Sequence, residues 1–388
     1  MIPKFCMITG WWNWYHVKNK VSPHFFDYPV SLMIKKGFYV EILTILQPER
    51  NELKCESYND FKILRFSNIN NKKDMVLYSM YLFNYILKNN YNIIHLHNLT
   101  WPIDVIPMVT NKLNRIPMVY TSHDPYFFDS LLRVGAYTLN QKIKNKLLKI
   151  MNSKINIYIA FTNFQKKIYN KMGIKNVKVI PHGIDPTVFN VEPNDEIKEK
   201  YRMGEFNILC VGNYEHRKGQ HLIVRGMNKI LSEYPKTKLI LVGRAFSEIQ
   251  RSYYNSLISY AKKHNLINNI SFLSDIPKDD LIQLYISSNI FVLPTQTEMA
   301  PLVYLEAMAA GLPTVTTNRP YIKEILGNGS AGILTKRTQK SFEDAIINLI
   351  SNTKLIKNLS NNGKIIITKN HILNNVVAQL WDLYQSLM

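Results

Sequence analysis

The chain has 388 residues, 46% hydrophobic and 20% charged, which is ample for two ordinary cores and excludes a disordered chain. Its three cysteines, Cys6, Cys55 and Cys210, are too few and too scattered for a disulfide framework or a structural zinc site, so a reduced, cytosolic setting is expected. The net charge of +20 is uneven: residues 1–186 hold 25 Lys and Arg against 11 Asp and Glu, and the remainder 23 against 17.

Residues 3–9 (PKFCMIT) read as a first strand ending at Gly10. A single Lys ahead of so short an apolar stretch fits neither a signal peptide nor a membrane span. A helix from about Pro23 to Lys36 leads through Gly37 into a second strand, FYVEILTI, so the chain opens as a βαβ unit with one glycine at its first turn. That glycine suits phosphate approach and equally suits a strand end. Trp11, Trp12, Trp14, Tyr15, Phe25 and Phe26 crowd the following loop. They form either a satellite core or an acceptor and interfacial platform.

Short apolar strands follow at Lys62–Phe66, Ile93–Leu96 and Met118–Thr121, separated by helical spans near 75–89 and 101–113. This alternation argues for a parallel, doubly wound sheet whose ligands meet the carboxyl ends of the strands. His95, His97 and His123 fall at those ends. From Asp129 to Asp185 no acidic residue occurs, while eleven Lys and Arg do, and residues 131–151 carry apolar positions at helical spacing opposite lysines. A patch of this kind draws polyanions, with nucleic acid, an anionic membrane surface and a phosphorylated acceptor as the candidates.

The strands INIYIAFT and VKVIPHGID close the first domain, and the polar stretch from Glu192 to Glu205 reads as a linker. A second βαβ series begins with FNILCVGN, and its loop carries Arg217 and Lys218 just before a helix. LILVG and ISFLSDIP follow, the latter ending near Ile276. The stretch from Ser288 to Thr317 then supplies a buried strand and a helix opened by Pro301 and closed by Gly311 and Pro313. Glu298 lies in the strand-to-helix loop and Glu306 on the helix, roughly 8 to 12 Å apart at the helical rise. The carboxylates of a retaining glycosidase stand about 5 Å apart, so this pair suits two contacts along one elongated ligand. The helix N-terminus between them suits a phosphate.

The Glu-x7-Glu pair, with Leu302, Leu305 and the run from Ala307 to Pro313, resembles the signature of retaining glycosyltransferases of family 4, which have the GT-B fold. The resemblance implies an α/β chain with two Rossmann-like doubly wound domains facing across a cleft: an acceptor domain (1–186), a nucleotide-sugar donor domain (187–370) and a helix (371–388) crossing back. It gives Glu298 to the transferred sugar, Glu306 to the donor ribose and His123 to charge stabilisation beside the sugar. Lys218 falls to the diphosphate, the loop at Gly10 approaches the donor phosphates, and the backbone at Ile276 clasps the nucleobase. Asn213 stands where the family has an arginine, and Arg217 is the nearest substitute. After Glu298 the usual small-residue loop is replaced by Met299, Ala300 and Pro301. The amides from Ala300 through Pro301 to Leu302 border the phosphate position, although Pro301 itself lacks a donor.

The expected activity is therefore retaining, metal-independent transfer of a hexose-type sugar from a nucleotide-diphosphate sugar, with no Asp-x-Asp pair to hold a metal and no cofactor. The expected acceptor is a glycan or lipid-linked molecule met at the cytoplasmic face of an anionic membrane. A GT-B nucleotide-sugar epimerase, a basic nucleic-acid-binding protein and a catalytically silent relative are the alternatives. Nucleic acid ranks low because no stacking motif or basic helix-turn-helix accompanies the charge.

Overall fold

A computed structural model describes residues 2–9, 27–45, 54–58, 61–66, 82–97, 115–123, 154–298 and 300–388. The Gly10 turn, the aromatic loop behind it, the span expected to be helical at 101–113, the basic helix at 131–151 and Met299 lie outside the described residues.

The chain divides into two compact units. One runs to Pro181 and resumes at Val376, and the other comprises His182–Asn375. The first unit thus ends five residues before the boundary expected from the sequence, because the turn after Pro181 is bonded to the second crossing of the chain. Ile184 N–H donates to His371 O (2.8 Å), Leu373 N–H to Ile184 O (2.9 Å), and His371 Nδ1 lies 2.8 Å from His182 O.

The first unit holds β1 (Lys4–Thr9), β2 (Tyr39–Ile45), β3 (Lys54–Tyr58), β4 (Phe61–Phe66), β5 (Ile93–His97), β6 (Met118–Thr121), β7 (Ile157–Ala160) and β8 (Val177–Val179). They form one sheet in the order β3-β4-β2-β1-β5-β6-β7-β8, parallel except where β3 pairs antiparallel with β4. β3 was not expected, since Lys-Cys-Glu-Ser-Tyr lacks the apolar alternation that marks a strand. Helix α1 (Asp27–Lys35) follows β1, and α2 (Asn163–Lys171), capped by the Thr162 hydroxyl accepting from Gln165 N–H, follows β7. The core gathers Phe5, Met7, Ile42, Ile93 and Val119 from the sheet with Val376, Leu380, Leu383 and Tyr384 of the last helix.

In the second unit the stretch expected as a linker contains α3 (Asp195–Lys200), a short polar helix whose cap, Asn194, accepts from Glu196 N–H. It has no apolar stripe, so it escapes a pattern search. The strands are β9 (Phe206–Val211), β10 (Thr237–Val242), β11 (Ile270–Leu273), β12 (Ile290–Leu293), β13 (Thr314–Thr317) and β14 (Gly332–Thr335). The helices are α4 (Gln220–Glu233), α5 (Glu248–Lys263), α6 (Lys278–Ile286), α7 (Leu302–Ala309), α8 (Pro320–Ile325), α9 (Gln339–Ile350), α10 (Thr353–Asn370) and α11 (Leu373–Gln385), the last entering the first unit at Val376. The sheet is wholly parallel in the order β11-β10-β9-β12-β13-β14. In this arrangement the order reverses between β9 and β12, and the crevice beyond their carboxyl ends is where an open α/β sheet binds its ligand.

Candidate active site

Two loops meet at that crevice. Beyond β9 the chain passes Gly212 and Asn213 and makes a tight 3-10 turn, His216–Lys218, before α4. The Gln220 side chain donates to the carbonyls of Gly212 (3.1 Å) and Asn213 (2.9 Å), so Asn213 offers this region its backbone and no cation. Gly219 joins turn to helix at φ +78°, and a Cβ there would stand 2.3 Å from Pro294 O, the residue just past β12. Both the left-handed backbone and the close approach require glycine. Gly219→Ala should cost about 2 kcal/mol or more of stability, checked by urea unfolding at constant m-value.

Beyond β12 lies Glu298, 8% exposed, and on it the turn's two cations converge. Arg217 NH1 donates to Glu298 Oε1 (3.0 Å) and to Thr297 O (3.1 Å), and Lys218 Nζ contacts the same Oε1. The Thr295 hydroxyl donates to it as well (3.1 Å), while Arg217 Nε pairs with Glu215 (2.5 Å). Tyr321, from α8, accepts the Glu298 N–H (2.8 Å) and fixes the loop from the far side. Lys218 is 8% exposed. A charge removed from water to that degree needs a partner, and this carboxylate supplies it. The sequence placed Glu298 and the two cations in one ligand site; the structure bonds them to each other.

Pro301 caps α7 with extended backbone (φ −68°, ψ 130°), and no side chain caps the first turn. Ala300, Pro301 and Leu302 are partly buried around that end, where a helix leaves its first amides for a ligand. On the helix, Glu306 Oε2 accepts from the hydroxyl of buried Tyr285 (2.8 Å), whose ring lies between Phe189 and Phe291. Burial raises the Glu306 pKa, against the lowering effect of the Tyr285 bond and of Lys278. A cavity of about 320 Å³ opens past β10 and β11, walled by Arg244, Phe246, Tyr254 and Asp275 among others. Asp275 turns the chain at φ +53° and pairs with Arg244 Nε (2.6 Å), and Ile276 follows it directly.

His123 belongs to the first unit, two residues past β6, with His95 and His97 on neighbouring β5. His95 is fully engaged: Nδ1 is 2.6 Å from Tyr384 Oη of α11, and Nε2 is 2.8 Å from Thr121 Oγ1. His97 Nδ1 lies 3.0 Å from His123 Nε2, with the rings stacked 14° from parallel. One nitrogen of that pair must donate and the other accept, which neutral imidazoles can do. Burial pushes His95 and His123 down to about 3 and holds His97 well below its ordinary value. His123 is thus a neutral hydrogen-bonding group.

The same three histidines give acid sensitivity a sign. Unfolded, they titrate near 6.5. Above that pH both states are neutral; below it the unfolded chain takes up protons that the folded chain refuses. Stability is therefore fully present above about pH 6.5 and lost toward pH 3, at up to about 1.4 kcal/mol per pH unit for each histidine. Urea unfolding from pH 7 to pH 5 should show this slope, reduced by about one proton in His95→Gln.

Tyr321, Thr295, Gln220 and Tyr285 were not singled out from the sequence. The first and last reach the site from other helices, and no local spacing announces them.

Two family models tile the chain: residues 31–188 match Glycosyltransferase Family 4, and residues 192–365 match Glycosyl transferases group 1. Among curated relatives, the glycosyltransferase-type protein YtcC of Bacillus subtilis is 28% identical over 225 residues, about half the length of each chain (54% and 54%). The alpha-monoglucosyldiacylglycerol synthase of Acholeplasma laidlawii is 24% identical over 71% of this chain and 70% of that one. Among solved structures, HepE of Anabaena in complex with UDP and glucose superposes with a TM-score of 0.78 at 17% identity, covering 99% of this chain and 100% of that one, and so shares its fold. The two parallel sheets, the strand order around the β9/β12 crevice and the paired family matches agree, and the chain belongs to the family-4 glycosyltransferases of GT-B fold.

Proposed function

We propose that this chain transfers a hexose-type sugar from a nucleotide-diphosphate sugar, with retention of configuration and without a metal, to a glycan or lipid-linked acceptor. The observation that carries the donor half is the convergence of Arg217 and Lys218 on Glu298 at the switch point of the second sheet. Two cations and an uncapped helix end flank one carboxylate, so a diphosphate can take the cations while Glu298 turns to the sugar's hydroxyls. Glu306, about one turn along α7, accepts from the ribose hydroxyls. The cavity walled by Arg244, Phe246 and Tyr254 receives the base beside Ile276. Neutral His123 offers a hydrogen bond to the transferred sugar. HepE of similar fold was solved with UDP and glucose, which supports this reading.

Cations assist the leaving group in place of a metal: as the sugar–phosphate bond breaks, the bonding electrons go to the diphosphate, and its developing negative charge is stabilised by Lys218, Arg217 and the amides opening α7. Retention follows if the acceptor hydroxyl enters on the face from which the diphosphate leaves. The acceptor half rests on Lys167, Lys171, Lys175 and Lys178, all exposed on α2 and around edge strand β8, and on the kinship to a glucosyldiacylglycerol synthase. No helix among the described residues is long and apolar enough to cross a membrane, so contact would be peripheral. Transfer in excess EDTA, with the product's anomeric configuration read by NMR, tests the reaction. Product of inverted configuration, or activity abolished by EDTA and restored by metal, would refute it. Flotation with liposomes should depend on anionic lipid; equal flotation with neutral lipid would remove the membrane.

A further inference from the structure

Strand β14 is the outer edge of the second sheet, and Arg337 sits in the segment between it and α9. Its guanidinium reaches inward across the position of β13. Nε donates to Pro294 O (2.9 Å), just past β12, and NH2 donates to His216 O (2.8 Å), at the head of the turn that carries Arg217 and Lys218. One side chain therefore ties together the two loops that form the switch point. Two other contacts join the same loops: Gln296 N–H donates to Arg217 O (2.7 Å), and Gly219 lies against Pro294.

Each of these contacts ends on a backbone atom, as does Arg217 NH1 on Thr297 O, whereas the contacts of Arg217 and Lys218 to Glu298 join charge to charge. An entering diphosphate competes for the charges and leaves the carbonyls alone. What keeps the cations aimed once Glu298 has let them go must be the backbone clamp. A guanidinium presents N–H groups from separate nitrogens in a fixed planar fork that can hold two carbonyls on different loops at once; an ammonium is a point charge on a flexible stem.

We propose that Arg337 is a positioning residue for the transfer reaction, one that holds the Arg217–Lys218 turn in register with the Glu298 loop while the donor diphosphate is bound. This rests on the donor reading above.

The test uses the full-length chain and a free nucleoside diphosphate, whichever of UDP, GDP, ADP or TDP the wild type binds, with affinity measured by calorimetry. Arg337→Lys keeps the charge and loses the fork; Arg337→Gln loses the charge and keeps a single NH2 group on a shorter stem, and serves if the first variant does not fold. Both should bind at least about tenfold more weakly while still melting cooperatively, since two hydrogen bonds from a charged group are lost or reduced. In a Lys218→Ala background Arg337→Lys should change affinity by less than about twofold, because residues acting through one another do not add. Wild-type affinity in Arg337→Lys would overturn the proposal, and so would the same loss in both backgrounds. A wild type that binds no nucleoside diphosphate would overturn the donor reading itself, and the proposal with it.

Discussion

Glu298→Gln should bind a free nucleoside diphosphate more tightly than the wild type and transfer no sugar. In the unliganded protein, Glu298 Oε1 accepts from Lys218, Arg217 and Thr295 at once, so the carboxylate occupies the charges that a diphosphate needs. Removing its charge leaves Lys218, almost fully buried, without its carboxylate, while Arg217 keeps its pairing with Glu215. Breaking a buried pair from one side costs about 3 to 5 kcal/mol, so the unliganded variant should melt lower. An anion that restores the pairing recovers part of that cost. A gain of roughly tenfold in affinity corresponds to only 1.4 kcal/mol and is the size expected. Transfer is lost because no carboxylate then turns to the sugar's hydroxyls when the diphosphate takes the cations. Calorimetry with the free nucleotide, beside a turnover assay, checks both halves. Weaker nucleotide binding by Glu298→Gln would mean that the carboxylate and the diphosphate do not compete.

Glu306→Gln should do the reverse, raising the stability of the unliganded chain and weakening donor binding. Burial raises the Glu306 pKa in the folded state. A carboxyl whose folded pKa lies above its unfolded value contributes stability that is full below the unfolded pKa, near 4.3, and is lost as pH rises through the folded pKa. At pH 7 the buried carboxyl, with its raised pKa, is a net cost to the fold. Glutamine removes it while its amide oxygen still accepts from Tyr285. The variant should melt higher than the wild type at pH 7, and the gap should close near pH 4. A carboxylate kept partly buried at a cost to stability belongs to a site built for a ligand. Losing its charged hydrogen bonds to the ribose should weaken the donor about tenfold to a hundredfold. Unchanged donor affinity in Glu306→Gln would remove the ribose role.

Much of the second sheet was legible because its strands are short apolar runs closed by Gly or Pro, and because Gly311 and Pro313 punctuate α7. Glu298, Glu306 and Lys218 were legible as residues, but the bond between Lys218 and Glu298 was not: they stand eighty positions apart, and the β9/β12 pairing brings them together. Arg337 and Tyr321 were invisible for a related reason. Their partners are a pair of carbonyls and a backbone N–H on distant loops, and a backbone group leaves no mark on the sequence. Helix α3 and strand β3 were missed because both are polar and are held by caps and by pairing rather than by an apolar face. His95, which closes a strand, anchors the last helix through Tyr384.

The most direct measurement is thermal stabilisation of the purified chain by UDP-, GDP-, ADP- and TDP-sugars in the presence of EDTA, with Lys218→Ala and Glu306→Gln alongside. At a concentration 100 times Kd, a bound donor adds about 2.7 kcal/mol to the stability of the folded state, a readable shift. One nucleotide class should shift the wild type without metal, and the shift should be reduced or absent in both variants. No shift with any donor, or an equal shift in wild type and variants, would contradict a donor site at Lys218, Glu298 and Glu306.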